Sequence, residues 1–339
     1  DRLRSRGLGD VYKRQIIGHF KSSIEQGKVA HAYLIHGEKG TGKKMLAGLF
    51  AKTLQCEAGG TDPCGTCRSC IQCDSGNQPD IIWVTHEKPT VISVDDIREQ
   101  VNNDIIIKPY SSRYKIYIIP EAELMNPQAQ NALLKTIEEP PEYAIIMLLT
   151  NNLDKMLPTI LSRCITLNLK PVGELDMMEY LSRMGIPQAK AKFCVGFAFG
   201  NLGKAVRLAT SEEYNEIKHD CVQILKDINR MEIYDLIDAV KKMSKYKLDI
   251  YDYLDIMMMW YRDILMLKVS GSPDKLLFKE EYATLKQQAN YISYEGIENV
   301  LKALDKVKVR LEANVNFDIA MELLLLTIKE NQNDRSNRS

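Results

Sequence analysis

A glycine-rich segment near residue 40 has the spacing of a phosphate-binding loop. It reads Gly37-Glu-Lys-Gly-Thr-Gly-Lys43-Lys44 and fits the first seven positions of the pattern G-x-x-x-x-G-K-[ST]. Glycines at 37, 40 and 42 let the backbone N–H groups converge, and the lysine at 43 can reach the outer phosphates of a nucleotide. Its place between a predicted strand and a predicted helix argues against a chance glycine turn. The candidate nucleotide-binding residues are Gly37, Gly40, Thr41, Gly42, Lys43 and Lys44.

The residues that would hold magnesium beside this loop are missing. The position after Lys43 normally carries a Ser or Thr whose hydroxyl binds the ion, and here it is Lys44. The predicted strand Ile116–Ile119 should end in a metal-binding Asp, but Pro120 follows it, and Glu121 replaces that carboxylate only in part. We therefore expect ATP or ADP to bind weakly or not at all, and ATP hydrolysis by the isolated chain to be negligible.

Five cysteines lie within eighteen residues, directly after the helix predicted to follow the loop. In the Cys64-Gly-Thr-Cys67 knuckle the glycine permits a tight turn, and Cys67 and Cys70 repeat the same spacing. Four thiolates around zinc form a closed structural site. The predicted ligands are Cys56, Cys64, Cys67 and Cys70, with Cys73 as the alternative to Cys56. Buried free thiols and a redox-active C-x-x-C pair are the alternatives to a metal site.

Short apolar runs alternate with helical periodicity around these residues. The predicted strands are Tyr33–His36, Ile81–Val84, Lys115–Ile119, Ala144–Leu149 and Ile165–Leu169. Several of them are apolar at successive positions, as in strands buried on both faces of a parallel sheet. Ser93 with Asp96 predicts a capping box, and Asn126 before Pro127 predicts a second helix start. The pattern predicts an α/β doubly wound fold.

From residue 174 onwards helical periodicity replaces the strand pattern. The predicted helices include Glu174–Met184, Ala189–Ala198, Asp249–Val269, Ile297–Leu311 and Phe317–Lys329. The predicted organisation is a leader over residues 1–14, an α/β domain over 15–170 with the cysteine module at 56–73, a small helical domain over 171–210, a larger one over 211–330, and a polar tail over 331–339. The basic leader lacks an initiator Met, and we expect either non-native sequence or a solvated arm.

The composition excludes several classes of protein. With 339 residues, 45% hydrophobic and 27% charged, the chain is an ordinary globular protein of two or three domains. Its 45 basic residues balance its 45 acidic ones, so any contact with nucleic acid must use a local patch. No apolar run approaches the roughly 18 residues of a membrane helix, and no signal-peptide pattern is present. We expect a cytoplasmic protein without membrane contact.

The order of these motifs resembles the clamp-loader branch of the AAA+ ATPases, as found in bacterial DNA polymerase III. The most specific matches are the segment Asn131–Pro141, which contains LLKTIEEPP, and the Ser162-Arg163-Cys164 motif. The resemblance extends from about Ile16 to Lys329 and implies an AAA+ domain with a zinc-binding insertion, then an all-α lid and an all-α collar. It further implies a ring of five subunits that opens a sliding clamp and places it on primed DNA.

The resemblance also implies roles for individual residues. Arg163 matches the arginine finger that is offered in trans to ATP on a neighbouring subunit; the alternative is an arginine in a surface ion pair. Since the metal-side residues are absent, we expect a stator that supports the motor (gamma/tau) and delta subunits, with which it joins through its collar. The alternatives are an active motor subunit of the same loader and, from another class, a P-loop phosphoryl-transfer enzyme with a zinc lid. The segment Gly200–Lys204 falls near the position where active motors carry a lid arginine, and Lys204 is the matching basic residue.

Overall fold

A computed structural model describes residues 16–273, 276–313 and 315–332. The chain divides into two compact units, residues 1–206 and 207–339. The predicted leader over residues 1–14 lies outside the described residues, as does most of the predicted tail. The division into lid and collar domains at residue 210 stays a prediction.

The first unit is built on a sheet of five parallel strands in the order β2-β3-β4-β1-β5. The strands are β1 (Ala32–His36), β2 (Ile81–Trp83), β3 (Lys115–Ile119), β4 (Ala144–Thr150) and β5 (Ile165–Asn168). They coincide with the five predicted strands to within one residue at each end. The predicted parallel sheet is therefore confirmed.

Helices cover both faces of this sheet. One face is covered by α1 (Gly18–Glu25) and α2 (Lys43–Leu54), and the other by α4 (Val94–Ile97), α5 (Pro127–Glu138) and α6 (Pro158–Leu161). The unit also contains α3 (Arg68–Asp74), α7 (Glu174–Arg183), α8 (Gln188–Ala198) and the start of α9 (Leu202–Thr210), a helix that contains the unit boundary. Successive residues of β3 alternate between two apolar cores: Tyr117 and Ile119 pack in one, Ile116 and Ile118 in the other. Burial on both faces explains why the strand sequences are continuously apolar.

The predicted helix starts are present and place the residues that follow. Ser93 and Asp96 form a capping box at α4, which continues as a π-helix over Arg98–Asn102. The Asn126 side chain accepts a hydrogen bond from the N–H of Ala129, and Pro127 is the first residue of α5. α5 carries the LLKTIEEPP motif and ends at Glu138, before the two prolines. The sequence thus sets both ends of the helix that lies beside Arg163.

The described residues of the second unit form helices joined by loops, with no strand among them. Its helices are α10 (Glu212–Asp227), α11 (Ile233–Met243), α12 (Ile250–Ser270), α13 (Tyr282–Tyr291), α14 (Tyr294–Glu312) and α15 (Phe317–Gln332). α12 is central, and its Trp260 is fully buried with the indole N–H donated to Gln288. The buried Asp263 accepts hydrogen bonds from the backbone N–H groups of Leu277 and Phe278. Among the described residues, no helix has the length and apolar character needed to cross a membrane.

Candidate functional site

The phosphate loop lies at the carboxyl end of β1, a strand with neighbours on both sides, and leads directly into α2. This edge of an open parallel sheet is where α/β proteins bind ligands. Gly40 and Gly42 have φ values of 88° and 91°, a left-handed conformation that favours glycine. Gly42 is also the residue that caps α2. The sequence therefore folds into the cradle that its motif predicts.

The lysine of this loop is bound to the loop itself. The Nζ atom of Lys43 donates to the carbonyl oxygens of Gly37, at 2.5 Å, and Glu38, at 2.8 Å. The Thr41 hydroxyl donates to the same Glu38 carbonyl at 2.7 Å. Burial lowers the pKa of Lys43, while the charges of Glu123, Glu121 and Glu38 act in the opposite direction. Two of the loop's own polar side chains are thus engaged by its carbonyl groups.

The two residues that would bind magnesium beside the loop are replaced, and the nearby carboxylates lie at other positions in the sequence. Lys44 is exposed in the first turn of α2 and has no hydroxyl to offer. Pro120 follows β3, and Glu121 adopts a left-handed conformation with φ of 53°, its carboxylate 3.9 Å from Nε2 of His86. Glu123, two residues further on, accepts a hydrogen bond from the backbone N–H of Asn151 at 3.3 Å. Sequence analysis missed Glu123, because only the short 3₁₀ turn after Glu121 brings it beside the loop.

The segment that opens α9 rests directly on the phosphate loop. The side-chain amide of Asn201 donates to the Lys39 carbonyl at 2.8 Å. A Cβ atom added to Gly203 would lie 2.0 Å from the carbonyl oxygen of Gly40, so only glycine fits there. The ammonium of Lys204 lies instead 5.4 Å from the centre of the Phe197 ring. A glycine at the start of α9 therefore lies directly against the loop.

The sulfur atoms of Cys56, Cys64, Cys67 and Cys70 all lie within 4.8 Å of one another. A chain of backbone N–H groups holds them together. The N–H of Cys64 points to the sulfur of Cys56 at 3.3 Å, and that of Cys67 points to the sulfur of Cys64 at 3.4 Å. The N–H of Cys70 points to the sulfur of Cys67 at 3.4 Å. Four converging sulfurs with no other ligand type are a donor set that can hold a zinc ion.

The environment of these thiols differs from one to the next. Hydrogen bonds from the backbone N–H groups of Thr66 and Cys67 lower the pKa of Cys64 to about 6, which favours the thiolate that binds metal. Burial raises the pKa of Cys70. Burial also raises the pKa of Cys73 to about 11, and this residue lies outside the group of four. The structure thus brings together the preferred set of ligands and not the set that contains Cys73.

Arg163 lies just beyond α6, next to the end of α5. Its Nε atom is 2.8 Å from a carboxylate oxygen of Glu138, and its Nη1 atom donates to the Thr159 carbonyl at 3.1 Å. The side chains of Arg163 and Glu138 are 40% and 46% exposed, so the guanidinium is accessible to another molecule. Both predicted interpretations, a surface ion pair and a finger for a neighbour, are compatible with this geometry.

Sequence similarity to known proteins extends over almost the whole chain. DNA polymerase III subunit delta' of Bacillus subtilis is 31% identical over 313 residues, which cover 91% of this chain and 94% of that protein. The family described as "DNA polymerase III, delta subunit" matches residues 12–173. The chain belongs to the delta-prime family of DNA polymerase III subunits. The predicted family is confirmed, and the observed parallel sheet confirms the predicted α/β fold of the first unit.

Gamma and tau subunits of DNA polymerase III are also similar to this chain. Subunit tau/gamma of Haemophilus influenzae is 38% identical over 183 residues, covering 53% of this chain and 26% of that protein. A solved structure of a gamma-subunit-related protein from Thermotoga maritima is 20% identical, covers 93% of this chain and 99% of that one, and has a TM-score of 0.49. The delta-prime protein is 31% identical over 91% of this chain, whereas subunit tau of Bacillus subtilis matches 96% of this chain at 26% identity. Among these matches that cover nearly the whole chain, the delta-prime protein thus has the higher identity.

Proposed function

We propose that this delta-prime family chain is a stator of a bacterial clamp loader that does not itself hydrolyse ATP to any useful extent. In this proposal it assembles in the cytoplasm with gamma/tau-type motor subunits and a delta subunit, joined through the helical second unit. The assembly loads a sliding clamp onto primed DNA. The chain supplies an arginine finger to ATP that is bound by a neighbour, so it supports a reaction that it does not perform.

The state of the phosphate loop carries the first part of the proposal. Lys43 is hydrogen-bonded to its own loop, Lys44 and Pro120 replace the two groups that would bind magnesium, and Gly203 is in contact with the loop. Magnesium neutralises the charge that develops in phosphoryl transfer, so a site without its ligands lacks most of its catalytic power. The same observation argues against both an active motor and a P-loop phosphoryl-transfer enzyme.

The second part of the proposal concerns Arg163. A guanidinium beside the outer phosphate stabilises the transition state of hydrolysis, and in arginine-finger systems it accelerates the reaction by about 10³- to 10⁵-fold. Arg163 belongs to the Ser-Arg-Cys motif, is partly exposed and is anchored to the rigid core through α5. These properties suit a residue that must reach across a subunit boundary.

The third part concerns the cysteine module. We infer that Cys56, Cys64, Cys67 and Cys70 hold a structural zinc ion, since the four sulfurs converge and a closed set leaves no position for a substrate. The ion would fix residues 56–74, a segment with only one short helix and little apolar core of its own. A catalytic function for this module is not proposed.

A nucleotide titration tests the stator assignment. We expect a fluorescent ATP analogue to bind the isolated chain more weakly than about 100 μM, with the affinity changed less than about twofold by magnesium. The variant Lys43→Ala should behave like the unaltered chain. Tight binding that requires magnesium, accompanied by ATP turnover that Lys43→Ala abolishes, would instead identify an active motor.

Reconstitution with the other loader subunits tests the finger. Arg163→Ala should lower ATP turnover at the neighbouring subunit's site by on the order of 10³-fold. Total DNA-stimulated ATPase activity should then fall by the fraction that this site contributes. Arg183→Ala is the matched control, because Arg183 also forms an exposed ion pair with a glutamate, here Glu179, but lies in α7. Both variants should remain in the complex on size-exclusion chromatography. Unchanged turnover with Arg163→Ala would remove the finger from the proposal.

A further inference from the structure

We propose that Glu138 is a positioning residue that sets the orientation of Arg163 for the neighbour's nucleotide; this inference rests on the proposed finger role. The contact joins Nε of Arg163 to a carboxylate oxygen of Glu138 at 2.8 Å. Glu138 is the last residue of α5, and Arg163 follows α6 closely. Two segments that are 25 residues apart in sequence thus meet through one ion pair.

The contacts of Arg163 fix the plane of its guanidinium group and leave one edge unused by them. Nε is engaged by Glu138, and Nη1 by the Thr159 carbonyl at 3.1 Å and the Ser162 hydroxyl at 3.3 Å. A guanidinium has five N–H donors in one rigid plane, so none of these contacts uses the two donors of Nη2. An arginine held at Nε and Nη1 presents Nη2 in a defined direction. Without Glu138 only the contacts to its own short helix remain, and the side chain can rotate about its χ angles.

Helix α5, which carries Glu138, is packed firmly against the sheet. Leu133 and Ile137 of α5 are fully or almost fully buried in the sheet core. The buried side chain of Gln130, also in α5, donates to the Lys155 carbonyl at 3.0 Å and accepts from the N–H of Leu157 at 2.8 Å. The start of α6 is therefore tied to the first turn of α5, and Arg163 is tied to its end. One helix sets the position of the finger at both points.

The ion pair is suited to positioning and contributes little to folding. Both side chains are about half exposed, and exposed pairs of this kind add little to the stability of a protein. Orientation of a catalytic group, in contrast, changes rates strongly, and a displacement of about 1 Å can lower a rate on the order of 100-fold. A residue with a large effect on turnover and a small effect on stability is the signature that this geometry predicts.

The experiment uses the reconstituted loader and measures the part of DNA-stimulated turnover that Arg163→Ala removes. Glu138→Ala should lower that part by on the order of tenfold through kcat, with KM for ATP unchanged. Glu138→Gln keeps an acceptor for Nε and should stay within about twofold of the unaltered protein. Glu138→Asp keeps the charge but shortens the reach and should fall between them. The midpoint of thermal unfolding should move by less than about 3 °C in all three variants.

Two controls separate positioning from other effects. Glu139→Ala removes the adjacent exposed carboxylate and should leave turnover unchanged. Adding Glu138→Ala to Arg163→Ala should have no further effect, since a positioning residue acts only through its partner. Full finger-dependent turnover in Glu138→Ala, or a further loss in the double variant, would overturn the inference. If Arg163→Ala itself leaves turnover unchanged, the proposed finger is refuted, and the role of Glu138 falls with it.

Discussion

The cysteine module and the phosphate loop are neighbours in sequence, connected by α2, yet they differ in how completely each has kept its partners. In the module all four sulfurs converge, and backbone N–H groups point to three of them. In the loop the glycines and Lys43 are present, but the groups that would bind magnesium are replaced at Lys44 and Pro120. One site has a complete donor set, and the other has a cradle without its metal ligands.

The difference separates structural from catalytic requirements. A phosphate-binding loop also connects a strand to a helix, so its glycines remain useful for folding even when the loop binds no nucleotide. Here Asn201 and Gly203 contact the loop from the lid side, and Lys43 binds its carbonyl groups. These contacts give the loop a packing role. The cysteines have no comparable second role, because four thiols without a metal ion would leave residues 56–74 with little to hold them.

The largest effect that we predict is on zinc content, which distinguishes the cysteine module from the phosphate loop. The unaltered chain should contain about one zinc ion, and Cys67→Ser should contain almost none, because a tetrahedral site needs all four ligands. Loss of the ion should destabilise the module locally by at least about 5 kcal/mol. Metal analysis by atomic absorption and limited proteolysis over residues 56–76 measure the two consequences.

Cys73→Ser provides the control for this experiment. Cys73 is half-buried and outside the group of four sulfurs, so its replacement should leave the zinc content unchanged. If Cys73→Ser loses the metal while Cys56→Ser retains it, the alternative ligand set is correct. Nucleotide binding should respond to neither variant.

The second prediction tests whether the phosphate loop has become a packing element. In Gly203→Ala the new Cβ would approach the Gly40 carbonyl oxygen to 2.0 Å, so α9 must move away from the loop. We expect a loss of about 2–3 kcal/mol in the free energy of unfolding, together with faster amide hydrogen exchange over residues 37–43. Urea denaturation and exchange mass spectrometry provide the measurements.

Gly48→Ala is a matched substitution on the other side of the loop. Gly48 lies inside α2, and a Cβ there would meet the Trp83 ring at 3.5 Å, an ordinary contact. Alanine in a helix interior should raise stability by up to about 1 kcal/mol. Equal effects of Gly203→Ala and Gly48→Ala would mean that the lid contact has no energetic importance.

Most of the fold could be predicted because its elements carry local and redundant patterns. The strands β1, β3 and β4 are buried and largely apolar, and the starts of α4 and α5 are marked by Ser93, Asn126 and Pro127. The π-helical turn over Arg98–Asn102 has no such pattern, since it differs from an α-helix by one hydrogen-bond register only. The ends of the predicted helices in the second unit differ from the observed ends by up to three residues.

The site could be predicted where spacing along the chain decides the geometry, as in the loop and the cysteine module. It could not be predicted where residues far apart in sequence meet. The contact of Asn201 with Lys39 spans 162 residues, and no local pattern announces it. The Glu138–Arg163 pair is of the same kind, because it depends on the packing of α5 beside α6. Gly203 contacts the loop at the start of α9, and no local pattern marks that glycine.

The smallest predicted effect asks whether the loop can be repaired. Lys44→Thr restores the missing hydroxyl, but Pro120 still occupies the place of the second magnesium ligand. We expect the affinity for ATP with magnesium to change by less than about threefold, as measured by fluorescence titration. Lys44→Val removes the same charge without adding a hydroxyl and serves as the control. Because α2 has two lysines and no acidic residue in its first turn, both variants should gain about 0.3–0.5 kcal/mol from the helix dipole. A strong gain in affinity with Lys44→Thr alone would show that one hydroxyl separates this stator from a motor, and that the lid contact on the loop is easily displaced.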